Sequence, residues 1–380
     1  MPSERCSQQL WSWGAGTEGQ LGTGKQDDES LPQQIPSSFS STTPISFLAC
    51  GGAHVVALTS DGKALSWGKG ASGQLGHGTI TNTLLFPKLI NSLNQHFITH
   101  ASTGWDFSGF VSDAGELFVC GNGSFGQLGL GDYASHSSPV KLSNFPKKIA
   151  LISCGMRHSL ILVKDSSADQ VYSFGYGNRG QLGLPCNNPK SIPLPRLVTG
   201  LPSSTIVRVA ASGDHSAAIY ANGDIFLWGR SFTATTFASS PSPLHLPSST
   251  KIRLAALGWN HALFLTVEGE LLMIGNHKGV SSGDEGARSV LSLKGVRVAQ
   301  VAAGAEHSVI VTEEGEVMCW GWGEHGQLGL GDQNNQIQPQ RICVGSNSLD
   351  PSSTRVFCGS GFSFAVKTSV RVQVDAPGGF

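Results

Sequence analysis

Two stretches of the chain follow one grammar: Gly51–Gly78 (GGAHVVALTSDGKALSWGKGASGQLGHG) and Gly304–Gly331 (GAEHSVIVTEEGEVMCWGWGEHGQLGLG). Each holds Gly-x-x-His, an apolar run, an acidic-Gly turn, a second apolar run ending in Trp-Gly, then Gly-Gln-Leu-Gly. Self-similarity at a fixed period marks a chain built from stacked copies of one supersecondary unit. The Trp-Gly landmark falls at Trp13-Gly14, Trp67-Gly68, Cys120-Gly121, Phe174-Gly175, Trp228-Gly229, Ile274-Gly275 and Trp320-Gly321, with spacings of 54, 53, 54, 54, 46 and 46 residues. The Gly-x-x-His landmark falls at His54, Phe107, His158, His215, His261, His307 and Phe362, with Ser212 in place of the fourth glycine. Both landmarks count seven units.

Within a unit the apolar runs are short and β-rich, such as VVAL then ALSW, or VIVT then VMCW. Pairs such as Asp61-Gly62, Asn222-Gly223 and Glu314-Gly315 join them, and X-Gly between apolar runs signals a tight hairpin. No window keeps a 3.6-residue apolar period, so little helix is expected. Many short strands at an even period predict an all-β, seven-bladed β-propeller. The chain opens on the Trp-Gly half of a unit (Leu10–Gly24) and closes on the Gly-x-x-His half (Phe357–Thr368). The two halves are expected to complete one blade and close the ring, leaving no free edge between first and last blades. This reading divides the chain into a tail over 1–6, a propeller over 7–369 and a second tail over 370–380.

Gly-Gln-Leu-Gly recurs at 19–22, 73–76, 126–129, 180–183 and 326–329. A glycine-rich loop can cradle phosphate. Here no Gly-Lys-Ser/Thr and no helix follows, so the motif reads as scaffold: leucine plugging the gap between blades, the glutamine amide bonding loop carbonyls. Five of the 12 histidines share one repeat position, which reads as architecture rather than as a catalytic base or ligand. No nucleophile–base set, paired-carboxylate spacing or His-Glu-x-x-His stands out, so no catalytic residue, metal or cofactor is expected. Lysine plus arginine number 25 against 26 acids, which leaves no electrostatic footprint for nucleic acid or an acidic membrane. The 8 cysteines contain no Cys-x-x-Cys pair, and Cys50, Cys154 and Cys358 precede the histidine landmark as small strand residues. Free thiols, no basic-then-apolar leader and no apolar run near ~18 residues point to an intracellular protein, cytoplasmic or nuclear.

Gly-x-x-His-Ser, Asp-Gly, Trp-Gly and Gly-Gln-Leu-Gly at this period resemble the regulator-of-chromosome-condensation repeat family. The resemblance covers nearly the whole chain and implies the same seven-bladed propeller. Three functions occur among its members. One is nucleotide exchange on the nuclear small GTPase Ran; the exchange factor has a basic amino-terminal arm and a wedge-like insertion. Here only Arg5 and Lys25 precede Lys63 as cations, and the nearest counterpart of the wedge, Arg230–Pro247, is shortened. A second is ultraviolet-B reception in plants, which relies on Gly-Trp-Arg-His-Thr in three consecutive blades. The matching triplets here carry tryptophan only at Trp105 and Trp259, three blades apart, so a stacked tryptophan cluster is not expected.

The third, a non-enzymatic scaffold for a protein partner, is the reading favoured here, with exchange on a Ran-like GTPase as the alternative. The variable residues inside Gly-x-x-His are expected to form a partner-binding ring on one face: Trp105, Asp106, Arg157, Asp214, Trp259, Asn260 and Glu306. Tryptophan beside charge is the usual make-up of an interface anchor. The proline-rich Leu184–Leu201 stretch offers a second, stiff surface.

Overall fold

In the computed structural model the described residues are 5–371, apart from 37–42, 144, 167, 186–189, 234–235, 247–249, 276–285 and 346–353. They form seven four-stranded antiparallel sheets. No α-helix occurs among them; two single 3-10 turns, Asn91–Leu93 and Leu291–Leu293, each bury one leucine beneath a connection between blades. Blade 1 runs through Ile45–Cys50, His54–Thr59, Ala64–Lys69 and Thr83–Leu89, in spatial order from the axis outward. Blades 2 to 6 repeat that order, beginning at Ile98, Ile149, Ile206, Ile252 and Val298.

Blade 7 is shared between the chain ends, as the order of landmarks predicts. Its two inner strands, Thr354–Cys358 and Phe362–Arg371, come from the C-terminal end. The outer two, Arg5–Gly14 and Glu29–Gln34, come from the N-terminal end. The seam pairs ten residues in unbroken register, from Arg5 opposite Arg371 to Gly14 opposite Phe362. It is the longest ladder among the described residues, placed where the ring would otherwise open.

The repeat exists because each sheet buries both faces against its neighbours. Seven apolar clusters fill the seven gaps, and every gap receives the residue before the landmark glycine. Trp13, Trp67 and Trp320 are fully buried in this way, as are Cys120 and Phe174 at the same position. The glycine after each admits no substitute. At Gly68, φ is +94° and an added Cβ would lie 2.6 Å from the Ala53 carbonyl oxygen, a backbone conformation and approach that only glycine takes readily.

The Gly-Gln-Leu-Gly loops are the mortar between blades, with one difference from the expected chemistry. The main-chain carbonyl of the glutamine reaches the next blade, and at Gln181 the amide reaches it too, its Nε2 donating to Asp214 at 3.0 Å. Gln20 O accepts from Trp67 Nε1 at 2.9 Å, Gln327 O from Trp13 Nε1 at 2.9 Å and Gln181 O from Trp228 Nε1 at 3.0 Å. The side-chain oxygen instead accepts the N–H two residues upstream, as Gln127 does from Phe125 at 2.8 Å. A side chain that bonds its own loop stiffens it, which leaves the carbonyl aimed outward. The leucines plug the gaps as expected, Leu21, Leu75, Leu128, Leu182 and Leu328 all being buried.

Candidate docking face

All seven Gly-x-x-His turns lie at the same end of their blades, so they converge on the central channel at one face of the disc. Neighbouring turns are bonded main chain to main chain. Gly52 N donates to Gly104 O, Trp105 N to Met156 O, Met156 N to Gly213 O, Trp259 N to Ala305 O, Ala305 N to Ser360 O and Ser360 N to Gly51 O, at 2.8 to 3.4 Å. Six of the seven blade-to-blade steps are closed in this way.

The landmark histidines stand directly beneath. His54 Nε2 meets Ser108 Oγ of the next blade at 2.9 Å, His158 meets Ser216 at 2.9 Å, His261 meets Ser308 at 3.0 Å and His307 meets Ser363 at 2.9 Å. Ser108 and Ser216 already donate to the Gln74 and Gln181 carbonyls, so the proton of each contact sits on Nε2 of His54 and His158. Their Nδ1 atoms are buried with no hydrogen-bond partner, which departs from a fully satisfied scaffold histidine. Burial lowers the pKa of both to about 3, so they are neutral. The ring lies flat under the turn: a Cβ on Gly155 would come 2.1 Å from His158 Cε1. That contact is why glycine opens the motif.

The variable turn residues separate into two concentric rings. The inner ring is Gly52, Trp105, Met156, Gly213, Trp259, Ala305 and Ser360, all lining the channel mouth. Around it lie Ala53, Asp106, Arg157, Asp214, Asn260, Glu306 and Gly361. Of the seven residues expected from sequence, the two tryptophans are inner and the five polar ones outer.

Trp105 and Trp259 are in contact, with ring centroids 5.4 Å apart and planes inclined at 43°. This corrects the expectation that two tryptophans three blades apart do not stack. Separation is counted around the rim, whereas side chains at the inner ring point across a narrow axis. Two glycines make the room. The Trp105 indole lies over Gly52, where an added Cβ would be 2.9 Å from the ring, and Trp259 lies over Gly213, where it would be 3.1 Å away. Glycine at inner-ring positions 52 and 213, each one blade before a tryptophan, is the sequence signal that could have predicted the meeting.

The outer ring is held by local bonds. Asp106 accepts from Asn122 Nδ2 at 2.7 Å, while its other carboxylate oxygen is buried with no hydrogen-bond partner. Desolvation raises the Asp106 pKa against the opposing pull of Asn122, Arg157 and Lys69. Arg157 stacks over the Phe125 ring at 4.6 Å. Asp214 faces Arg179 at 3.4 Å and accepts from Gln181 at 3.0 Å, and Asn260 donates to Glu306 at 2.9 Å. Trp105 remains 42% exposed despite its contacts.

Below the indole pair the channel encloses about 530 Å³ between the innermost strands. Cys50, Cys154 and Cys358 line it as free thiols. Burial pushes the Cys154 and Cys358 thiols up to about 12, which keeps them protonated and inert. Among the described residues no group of three His, Cys, Asp or Glu side chains could hold a metal ion, and no helix is long and apolar enough to cross a membrane.

The profile of the RCC1-like domain matches residues 9–365. The mouse secretion-regulating guanine nucleotide exchange factor is 29% identical over 94% of this chain and 83% of its own length. The ultraviolet-B receptor UVR8 of Arabidopsis thaliana is 30% identical over 93% of this chain and 84% of its own. Among solved structures, human WBSCR16 superimposes with a TM-score of 0.83 at 22% identity, covering 96% of this chain and 99% of the other.

Proposed function

This chain belongs to the RCC1-like domain family, and we propose that within it the protein is a non-catalytic scaffold that presents its Trp105–Trp259 face to a protein partner. The observation that carries this reading is the indole pair, exposed Trp105 against half-buried Trp259, at the centre of a charged rim. Apolar aromatic centre and polar rim is the anatomy of a protein interface. Aromatic anchors at such a centre supply most of the binding energy. The rim side chains are already fixed by Asn122, Phe125, Arg179 and their own neighbours, so little ordering entropy is lost on docking.

The test compares partner capture by the wild-type chain and by the Trp105→Ala/Trp259→Ala double variant, with the fold of each checked by circular dichroism. Loss of more than about 2 kcal/mol of affinity is expected for anchors of this kind. A folded double variant that captures the same partners with unchanged affinity rejects the reading.

Nucleotide exchange on a small GTPase is the second reading, supported by the likeness to a relative named as a guanine nucleotide exchange factor. An exchange factor stabilises the nucleotide-free state of its GTPase. Accelerated release of a fluorescent guanine nucleotide from one member of a GTPase panel would therefore move the assignment from scaffold to exchange factor.

A further inference from the structure

Three departures from the repeat meet at one side chain of the fourth blade. Position 212 is serine instead of glycine, position 262 in the next blade is alanine instead of serine, and the step from Gly213 to Trp259 is the one without a main-chain bond. Without a serine hydroxyl ahead of it, His215 takes another orientation. Its Nε2 lies 2.8 Å from the Trp259 carbonyl oxygen and its Nδ1 2.7 Å from the Arg230 carbonyl oxygen. The Phe232 ring stacks on the imidazole at 3.8 Å and 15°. His215 thus supplies the seventh link of the ring, and it ends on the backbone of a residue in the indole pair.

Both ring nitrogens face carbonyl oxygens, which only accept. A neutral imidazole has one N–H and would leave a lone pair against an oxygen; imidazolium donates to both. We propose that His215 is a proton-dependent clasp. As imidazolium it ties the Trp259 carbonyl to the Arg230 carbonyl and holds Trp259 against Trp105. When the proton leaves, the Nδ1 bond within blade 4 is kept and the bond across the gap is released. The cross-gap bond is the one that yields because no main-chain bond supports it. The clasp rests on the reading of the indole pair as the docking face, and it regulates that face.

The groups around His215 set where the change falls. Burial lowers its pKa from 6.5, the Trp259 and Arg230 carbonyls raise it, the Arg230 charge lowers it and the Asp214 carboxylate raises it. Asp214 is itself held by Arg179 and Gln181. His158 in the preceding blade is kept neutral by burial. Burial is the largest of these influences, so the clasp closes as pH falls through a midpoint below 6.5.

Indoles at this separation couple excitonically, so the pair reports its own geometry in circular dichroism without any partner present. The experiment titrates that couplet in the isolated full chain from about pH 8 to about pH 5. Trp259→Phe identifies the signal by abolishing it. The expected result is a couplet that strengthens on acidification in the wild type and no longer responds to pH in His215→Gln. His215→Phe, the residue found at the same place in blades 2 and 7, serves if the glutamine variant does not fold. A wild-type couplet that stays flat across the range overturns the clasp, as does a folded His215 variant that keeps the wild-type titration. Either result leaves the docking face to be judged by partner capture alone.

Discussion

At the scale of single residues, the glycine that opens each repeat answers to the aromatic ring three positions later. A methyl group on Gly155 would collide with His158, so Gly155→Ala is expected to destabilise the fold by about 1–3 kcal/mol, as other overpacked sites do. Ser212→Gly, where the ring has turned away, is expected to change stability by less than about 1 kcal/mol. Urea denaturation of both variants checks the contrast. His158 and His54 have a second consequence. Their pKa values fall from 6.5 in the unfolded chain to about 3 in the fold, so below pH 6.5 the unfolded state binds protons that the fold refuses. Stability is therefore fully present above that pH and is lost as pH falls toward 3. Each histidine is expected to remove about 2 kcal/mol by pH 5. His158→Phe should shrink that loss in denaturation curves at pH 7.5 and pH 5. Most of this was legible in the repeats, because Phe107 and Phe362 show that the position needs a flat ring more than a base. The orientation of His215 was not read, although Ser212 and Ala262 both mark it; each looks like drift until the serine–histidine contact between blades is known.

At the scale of elements, the outer strands explain how a disc with seven exposed sheet edges avoids pairing with its neighbours. Proline interrupts six of them, at Pro32, Pro87, Pro139, Pro193, Pro241 and Pro339. Proline cannot donate to a ladder and is a common device for blunting an edge. Pro339→Val, beside the 60% exposed Ile337, is expected to produce concentration-dependent association, measured by light scattering. Blade 5 solves the problem differently: its outer strand within the described residues is only Arg288–Ser289. The short 46-residue spacings and the missing Gly-Gln-Leu-Gly mark this region in sequence. What the spacing left open was whether the strand or its loop had been lost. The role of the glutamine was misassigned for a related reason. Residue type shows that an amide is present, but which of its atoms, or of the backbone beside it, reaches the next blade depends on the course of the loop.

At the scale of the whole molecule, the order of the landmarks at the chain ends was enough to place the seam, since half a unit at each end can only complete one blade. Deleting Phe362–Arg371 would strip the ten-residue partner from Arg5–Gly14 and open the ring. The truncated chain is expected to lose cooperative unfolding and to bind a dye for exposed apolar surface. The convergence of turns on the axis was less legible. Repeat counting orders the blades around a circle but gives no width for the hole, and the contact of Trp105 with Trp259 depends on that width.

The claim that this face is the docking surface is tested most directly by photo-crosslinking in cells. A photoreactive residue placed at position 157, on the outer ring, is compared with one at position 222, in an exposed hairpin on the opposite face. The account predicts discrete adducts from position 157 that disappear when Trp105 and Trp259 are both alanine, and none from position 222. Adducts from position 222 alone, or adducts from 157 that survive loss of both tryptophans, would contradict it.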